Sequence, residues 1–315
     1  MRRDGEPGGS RQCVQLYLAD RHTFGNLDSC ADRHVFALAR MTTQLAPVSA
    51  VIPCYRSAGT ICRAVGSIAG QTLKPAELVL VDDHSDDSTW ETLEQVKASH
   101  PPGWIRLIAR DRNGGPSAAR NAGWEAATQS YLAFLDADDA WHSRKIELQY
   151  RYMRENPGVV VCGHRSRRVR NPEDERIESL SPVPTDVSTA ALLLGNRFVT
   201  PSVMLKRSLP FRFAEDRRHM EDHLLWLQIA CAGHRITRLD AELTFLYKAP
   251  FGETGLSSEL WRMEMAELDN YRRLFRAGAL GAPATLALWF WSLAKFSRRL
   301  AYAAIPALRE RLEPR

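Results

Sequence analysis

The sequence lacks a CxxC pair, an HExxH motif and any apolar run long enough to cross a bilayer. Its six cysteines, Cys13, Cys30, Cys54, Cys62, Cys162 and Cys231, are scattered, so they suggest neither a zinc site nor a disulfide framework, and a reducing cytosol fits them best. His219 and His223 stand four apart without the glutamate of HExxH, a weak zinc pattern. No uninterrupted apolar segment lies near the start, so no signal peptide is expected in these residues. The most apolar stretch, Leu286 to Ala294, is well short of the ~20 residues a membrane-spanning helix needs. No basic helix with interleaved aromatics occurs in the body, so nucleic acid is not an expected partner.

What is present is an ordinary globular composition, 44% hydrophobic and 25% charged over 315 residues, which rules out disorder throughout. That length accommodates one large α/β domain with extensions, or two domains. The net charge of +5 is uneven: from Ala284 onward Lys295, Arg298, Arg299, Arg309, Arg311 and Arg315 face only Glu310 and Glu313. A basic tail suits an anionic surface such as a membrane.

Residues 1–46 do not read as a folded unit, because glycine, proline and charge break every apolar run. Met41, just before the first strand, is the expected natural start. From there strands and helices alternate. Val48 to Pro53 is β-rich, and Ile61, Ala64, Val65 and Ile68 follow at helical spacing. Leu78 to Val81 is a second strand, and Ser88 with Glu91 has the spacing of a capping box opening a helix. Ile105 to Ala109 precedes the turn Asn113-Gly114-Gly115-Pro116, then a helix from Ser117 to about Thr128 leads to the strand Tyr131 to Leu135. This alternation predicts right-handed βαβ units, a mainly parallel sheet and a ligand at the carboxyl ends of its strands.

Acidic clusters stand at two of those ends, Asp82-Asp83 and Asp136-Ala137-Asp138-Asp139. Clustered carboxylates repel one another unless a cation lies between them, and oxygen ligands suit a hard divalent metal. Arg120 and Asn121, on the helix after the glycine turn, can reach the same rim. Further on, Val159 to Cys162 can form a strand, Arg165 to Pro184 reads as a polar excursion, and Glu221-Asp222 open the apolar helix Leu224 to Ala230, with Gly233 as its stop.

Taken together, VSAVIPCYR, VDDHSDDST, the stretch Asn113 to Gly123, FLDADD and Glu221-Asp222 before Leu224-Leu225-Trp226 resemble the inverting family 2 glycosyltransferases of the GT-A fold, over roughly Val48 to Ser258. The resemblance implies a Rossmann-like, mainly parallel sheet flanked by helices, here with a C-terminal helical extension. It divides the chain into an N-terminal extension (1–46), a catalytic domain (47–258, with nucleotide-binding and acceptor halves meeting near 140) and a basic helical tail (259–315). It implies a nucleotide-sugar donor, usually UDP-linked, and a glycan or lipid-linked acceptor of the kind used in bacterial surface polysaccharide synthesis. Asp83, with Asp82 beside it, would read the uracil, and Pro53 and Tyr55 would flank the base. Asp136 would lie near the ribose, Asp138 would hold Mn²⁺ or Mg²⁺ across the phosphates, and Arg120 would assist at the nucleotide side. Asp222 would be the catalytic base, with Glu221 in reserve. The stretch Tyr247 to Ser257 lacks the histidine often found there in the family, and Lys248 is the cation that can replace it.

Ser292, Lys295 and Arg299 give one polar side to a tail helix that also carries Leu288, Trp289, Trp291 and Phe296. Tryptophan with basic residues suits a membrane interface, so a cytoplasmic enzyme peripheral to the inner face of the membrane is expected; packing on the catalytic domain or on a second subunit is the alternative. Two rival functions fit less well. A phosphoacceptor signalling domain would carry its acidic pair at the first strand. A sugar nucleotidyltransferase would need a basic, Gly-rich loop there, which Cys54-Tyr55-Arg56-Ser57-Ala58-Gly59 is not.

Overall fold

A computed structural model of the chain describes residues 45–175, 177, 180, 182–247 and 260–304, with side chains to 299. Residues 1–44 with Met41, the stretch from Lys248 to Ser257, and Arg309, Arg311 and Arg315 lie outside the described residues.

The elements in order are β1 (Ala46–Cys54), α1 (Ile61–Ala69), β2 (Pro75–Asp82), α2 (Thr89–Ala98), β3 (Ile105–Ala109), α3 (Gly115–Ala126), β4 (Tyr131–Phe134), β5 (Ala140–Trp141), α4 (Lys145–Glu155), β6 (Val159–Arg168), β7 (Pro184–Asp186), α5 (Thr189–Leu193), β8 (Met204–Lys206), α6 (Glu221–Cys231), β9 (Arg235–Leu246), α7 (Leu260–Arg276) and α8 (Ala282–Ala304). Nine strands form one sheet in the order β3-β2-β1-β4-β8-β6-β9-β5, with β7 beside β9. Strands β3, β2, β1 and β4 run parallel, whereas β8 is antiparallel to both β4 and β6.

Strand β1 is apolar along its length because both of its faces are covered. Ala50 and Ile52 pack toward α1 with Leu78 and Leu80, while Val51 packs on the other side with Val79, Val81 and Phe134. On that second side α3 approaches so closely that a Cβ at Gly123 would overlap the Val51 side chain. An aromatic column then joins α3 to α6: Trp124 to Phe134 at 5.8 Å, Phe134 to Phe213 at 5.3 Å and Phe213 to Trp226 at 6.2 Å between centroids. Such pairs contribute roughly 0.5–1.5 kcal/mol each beyond burial. They fix the distance between the helix bearing Arg120 and the helix bearing Glu221 and Asp222.

The structure differs from the sequence reading in several places. The Ser88 hydroxyl caps nothing; instead Asp87 Oδ1 accepts from Thr89 N at 3.1 Å. Strand β6 continues through Arg165 to Arg168, which had read as a solvated excursion, because Arg165 and Arg167 pair with Asp240 and Glu242 on the neighbouring β9. Cys54, Cys162 and Cys231 are free thiols.

Candidate active site

The parallel register of β1, β2 and β4 brings their carboxyl ends to one rim, with Cys54 opposite Asp82 and Val51 opposite Phe134. Three non-glycine residues with positive φ stand where the chain leaves β1, leaves β2 and enters α6: Arg56 at 48°, His84 at 60° and Met220 at 53°. Such conformations cost about 1–3 kcal/mol each and persist where the surroundings hold them.

Asp82 and Asp83 are both buried. Asp82 accepts from the Ser85 hydroxyl at 2.5 Å and the Ser85 amide at 3.2 Å. The Asp83 carboxylate receives the Arg110 guanidinium, the Gly114 amide at 3.1 Å and the Gly115 amide at 2.7 Å, and its carbonyl accepts from Asn113 Nδ2 at 3.1 Å. Gly115 has φ +81°, and a side chain at Gly114 would collide with Arg110. The glycine turn is therefore shaped around Asp83. Pro53 lies half-buried at the end of β1, while Tyr55 beyond it is 45% exposed beside the Arg56–Asp86 ion pair.

After β4 the chain turns, and carboxylate oxygens of Asp136, Asp138 and Asp139 come within 4.8 Å of one another. Three hard oxygen donors at that spacing fit a divalent cation such as Mn²⁺ or Mg²⁺. Surrounding groups fix the turn: Arg63 Nη2 donates to the Asp138 carbonyl at 2.5 Å and stacks over Tyr247, whose amide donates to Asp139 Oδ1 at 3.2 Å. Asp139 joins the candidate ligands, although the resemblance singled out only Asp138.

Arg120 ties this turn to α6. Its guanidinium is buried over the Phe213 ring, with Nη2 donating to Asp136 Oδ1 at 2.8 Å and Nη1 to Glu221 Oε1 at 3.1 Å. Burial opposes its charge, but Asp136 and Glu221 outweigh that and hold its pKa above the usual value. The pKa values of the two carboxyls of α6 are raised as well, which disfavours their charged forms. Burial raises the pKa of Asp222, against the His223 amide at 2.6 Å, the charge of Arg120 and Asn196 Nδ2 at 3.2 Å. Burial and the charge of Asp222 raise the pKa of Glu221, with Arg120 opposing. Neighbours from far along the chain position the pair. His223 Nε2 donates to the Leu192 carbonyl at 2.8 Å, which gives the ring a structural role rather than that of a zinc ligand. The buried Asn270 of α7 donates to the Met220 carbonyl at 3.2 Å and accepts from Arg217.

Asp136, Arg120 and Glu221 thus form one ion-paired chain, with Asp222 next to it and Asp138 and Asp139 in the same turn as Asp136. Asp82, Asp83, Pro53 and Tyr55 occupy the same rim, where Asp82 bonds to Ser85 of its own loop and Asp83 to Arg110 and the glycine turn after β3. Arg63, Arg110, Asn113, Asn196 and Asn270 were missed as contributors. Only Asn113 carried a signal, in the glycine turn.

Residues 49–211 match the model of glycosyl transferase family 2. The chain belongs to this family. A glucosyltransferase of Escherichia coli, WfaP, named for transfer from UDP-Glc to α-D-GlcNAc-diphosphoundecaprenol, is 30% identical over 186 residues, 59% of this chain and 71% of that protein. Uncharacterized glycosyltransferases of Rickettsia match with similar identity, but the chain spans only 34% of the length of the Rickettsia felis protein. Among solved structures, the fold is shared with Staphylococcus aureus TarS 1-349 in complex with UDP-GlcNAc (TM-score 0.59, 18% identity, 85% of this chain and 76% of that one). It is shared too with the Pyrobaculum calidifontis mannosyltransferase PcManGT in complex with GDP-Man and Mn²⁺ (TM-score 0.58, 19% identity, 94% and 84%). Both likenesses show the GT-A fold.

Proposed function

We propose that the chain transfers a sugar from a nucleotide-sugar, a UDP-sugar, to a hydroxyl of a glycan or lipid-linked acceptor, inverting the anomeric centre. The observation that carries this reading is the Arg120 bridge, which puts the acidic turn and the paired carboxyls of α6 into one site. Residues 47–140 hold the nucleotide, 141–258 the acceptor, and 259–315 are an extension, helical over Leu260–Arg276 and Ala282–Ala304. Asp83 reads the uracil from within the turn it organises, beside Asp82, with Pro53 and Tyr55 flanking the base. Asp136 lies toward the ribose, and Asp138 with Asp139 holds the cation. A divalent ion bound there would offset the negative charge that grows on the diphosphate as the sugar bond breaks.

Asp222 takes the proton from the acceptor hydroxyl as its oxygen bonds to the anomeric carbon, from the face opposite the departing diphosphate. A carboxyl with a raised pKa is the stronger base for that task. Glu221, held by Arg120, keeps the pair oriented and is the second candidate for the proton. WfaP, whose named acceptor is a diphosphoundecaprenol lipid, supports a lipid-linked acceptor here. The workplace is then the cytoplasmic face of a membrane, with the chain attached peripherally. No helix among the described residues is long and apolar enough to cross.

A panel of nucleotide-sugars assayed for slow hydrolysis tests this without an acceptor. UDP-sugars should be cleaved only with Mn²⁺ or Mg²⁺ and cleavage should stop on chelation. Failure of every nucleotide-sugar to bind or hydrolyse with metal present would refute the assignment.

A further inference from the structure

The C-terminal hairpin of α7 and α8 turns its polarity inside out. The polar side of α8 expected to meet water or lipid headgroups instead faces α7. Ser292 donates to Glu264 at 2.7 Å, Lys295 to Glu267 at 2.5 Å and Arg299 to Glu264 at 3.1 Å. Burial raises the pKa of Glu264, whereas for Glu267 the Lys295 ammonium outweighs burial and lowers it. The outward side is left apolar: Leu286, Trp289, Phe290, Trp291 and Leu293 are exposed, Phe290 to 73%, next to the exposed Trp261 and Met265 of α7. So large an outward apolar face on a single hairpin marks a contact surface.

Charge indicates what the contact is with. Among the described residues of the hairpin, each acid, Glu264, Glu267 and Asp269, is buried or half-buried and bonded to a cation. Among the described residues of the hairpin the exposed charges are arginines, with Arg272, Arg276 and Arg298 among them. An apolar face carrying indole rings, with exposed arginines on the same hairpin, complements an anionic lipid surface. The face also continues toward the site. Trp291 Nε1 and Lys295 Nζ both donate to the carbonyl of the exposed Leu194, two residues before Asn196, whose side chain donates to Asp222.

We propose that the outer face of the α7–α8 hairpin rests on an anionic phospholipid bilayer, with Leu286, Phe290 and Leu293 entering the interface and Arg272, Arg276 and Arg298 on the headgroups. This deepens the peripheral attachment proposed above by naming the surface and its orientation, and it does not depend on which sugar is transferred. The helix lies along the membrane, as an interfacial helix does, and presents the Asp222 side of the protein to a lipid-linked acceptor.

The test is flotation of the full chain with phosphatidylcholine vesicles, with and without phosphatidylglycerol. Wild type should float with the anionic vesicles, less so at high salt. Leu286→Glu with Phe290→Glu should lower partitioning about tenfold or more, from the lost burial of two large apolar side chains. Arg298→Glu should lower it about fivefold on anionic vesicles and little on neutral ones. Circular dichroism melting should show that the variants are folded. Slow hydrolysis of a nucleotide-sugar, measured on the same preparations, should be unchanged, and it reports the transferase reading separately. Two results would overturn the proposal: wild type that stays in solution with anionic vesicles, or a concentration-dependent dimer, disrupted by the same substitutions, that binds no vesicle.

Discussion

At the end of β2 the Asp83 carboxylate is surrounded by donors, whereas at the start of α6 Glu221 shares the Arg120 guanidinium with Asp136 and Asp222 lies beside them. Both sites place carboxylates on one rim, Asp83 and Glu221 buried and Asp222 half-buried, yet they suit different tasks. Asp83 receives two backbone amides and an arginine and so holds a loop in shape. Asp222 sits where burial raises its pKa despite its donors, which favours taking a proton. Fixed geometry belongs where a nucleotide is gripped, and a poised pKa where a proton must move.

The largest expected effect is on the proton-taking side. Asp222→Asn should lower transfer by about 10²- to 10⁴-fold in a steady-state assay, the usual cost of losing a general base. The same variant should be stabilised relative to wild type as pH rises. A raised folded-state pKa contributes stability at low pH that is lost as the group ionises, and asparagine never ionises. Melting temperatures from acid to neutral pH check this; a difference that shrinks with rising pH would break the contrast.

Arg120→Met comes next. Removing the cation from two buried carboxylates should cost about 3–5 kcal/mol of stability by denaturant titration. It should also move the acid limb of the kcat/KM pH profile upward, because Arg120 opposes the rise in the pKa of both α6 carboxyls. A limb that stays in place would remove Arg120 from the charge balance. Asn270→Ala should cost about 1–3 kcal/mol through the unpaired Met220 carbonyl. Its kinetic effect should fall on kcat with donor KM unchanged, as expected of a residue that positions α6. Gly115→Ala is the smallest, about 1–2 kcal/mol for a left-handed backbone, and the kinetic effect should reverse: donor KM rises and kcat holds.

The parts of this rim that were legible in the sequence are those written in local pattern. Strands such as Ala50-Val51-Ile52 show their double burial as an unbroken apolar run, and Asp82-Asp83, Asp136 to Asp139 and Glu221-Asp222 stand out because charge so rarely follows such runs. What was hidden depends on partners distant in the chain. Nothing near Asn270 marks it as the holder of Met220, and Arg63 reaches Asp138 only once α1 is folded against the acidic turn. Arg165 and Arg167 are solvent-facing as read, but the strand that carries them was hidden because their acidic partners lie on β9. The polar side of α8 read as its outer side for the same reason, since Glu264 and Glu267 belong to another helix.

The division between grip and proton transfer is tested most directly by calorimetric titration of a UDP-sugar, with Mn²⁺ present, into wild type, Asp222→Asn and Asp138→Asn. Asp222→Asn should bind with wild-type affinity and Asp138→Asn should lose the metal-dependent part of binding. Wild-type binding by Asp138→Asn together with its loss in Asp222→Asn would contradict the account.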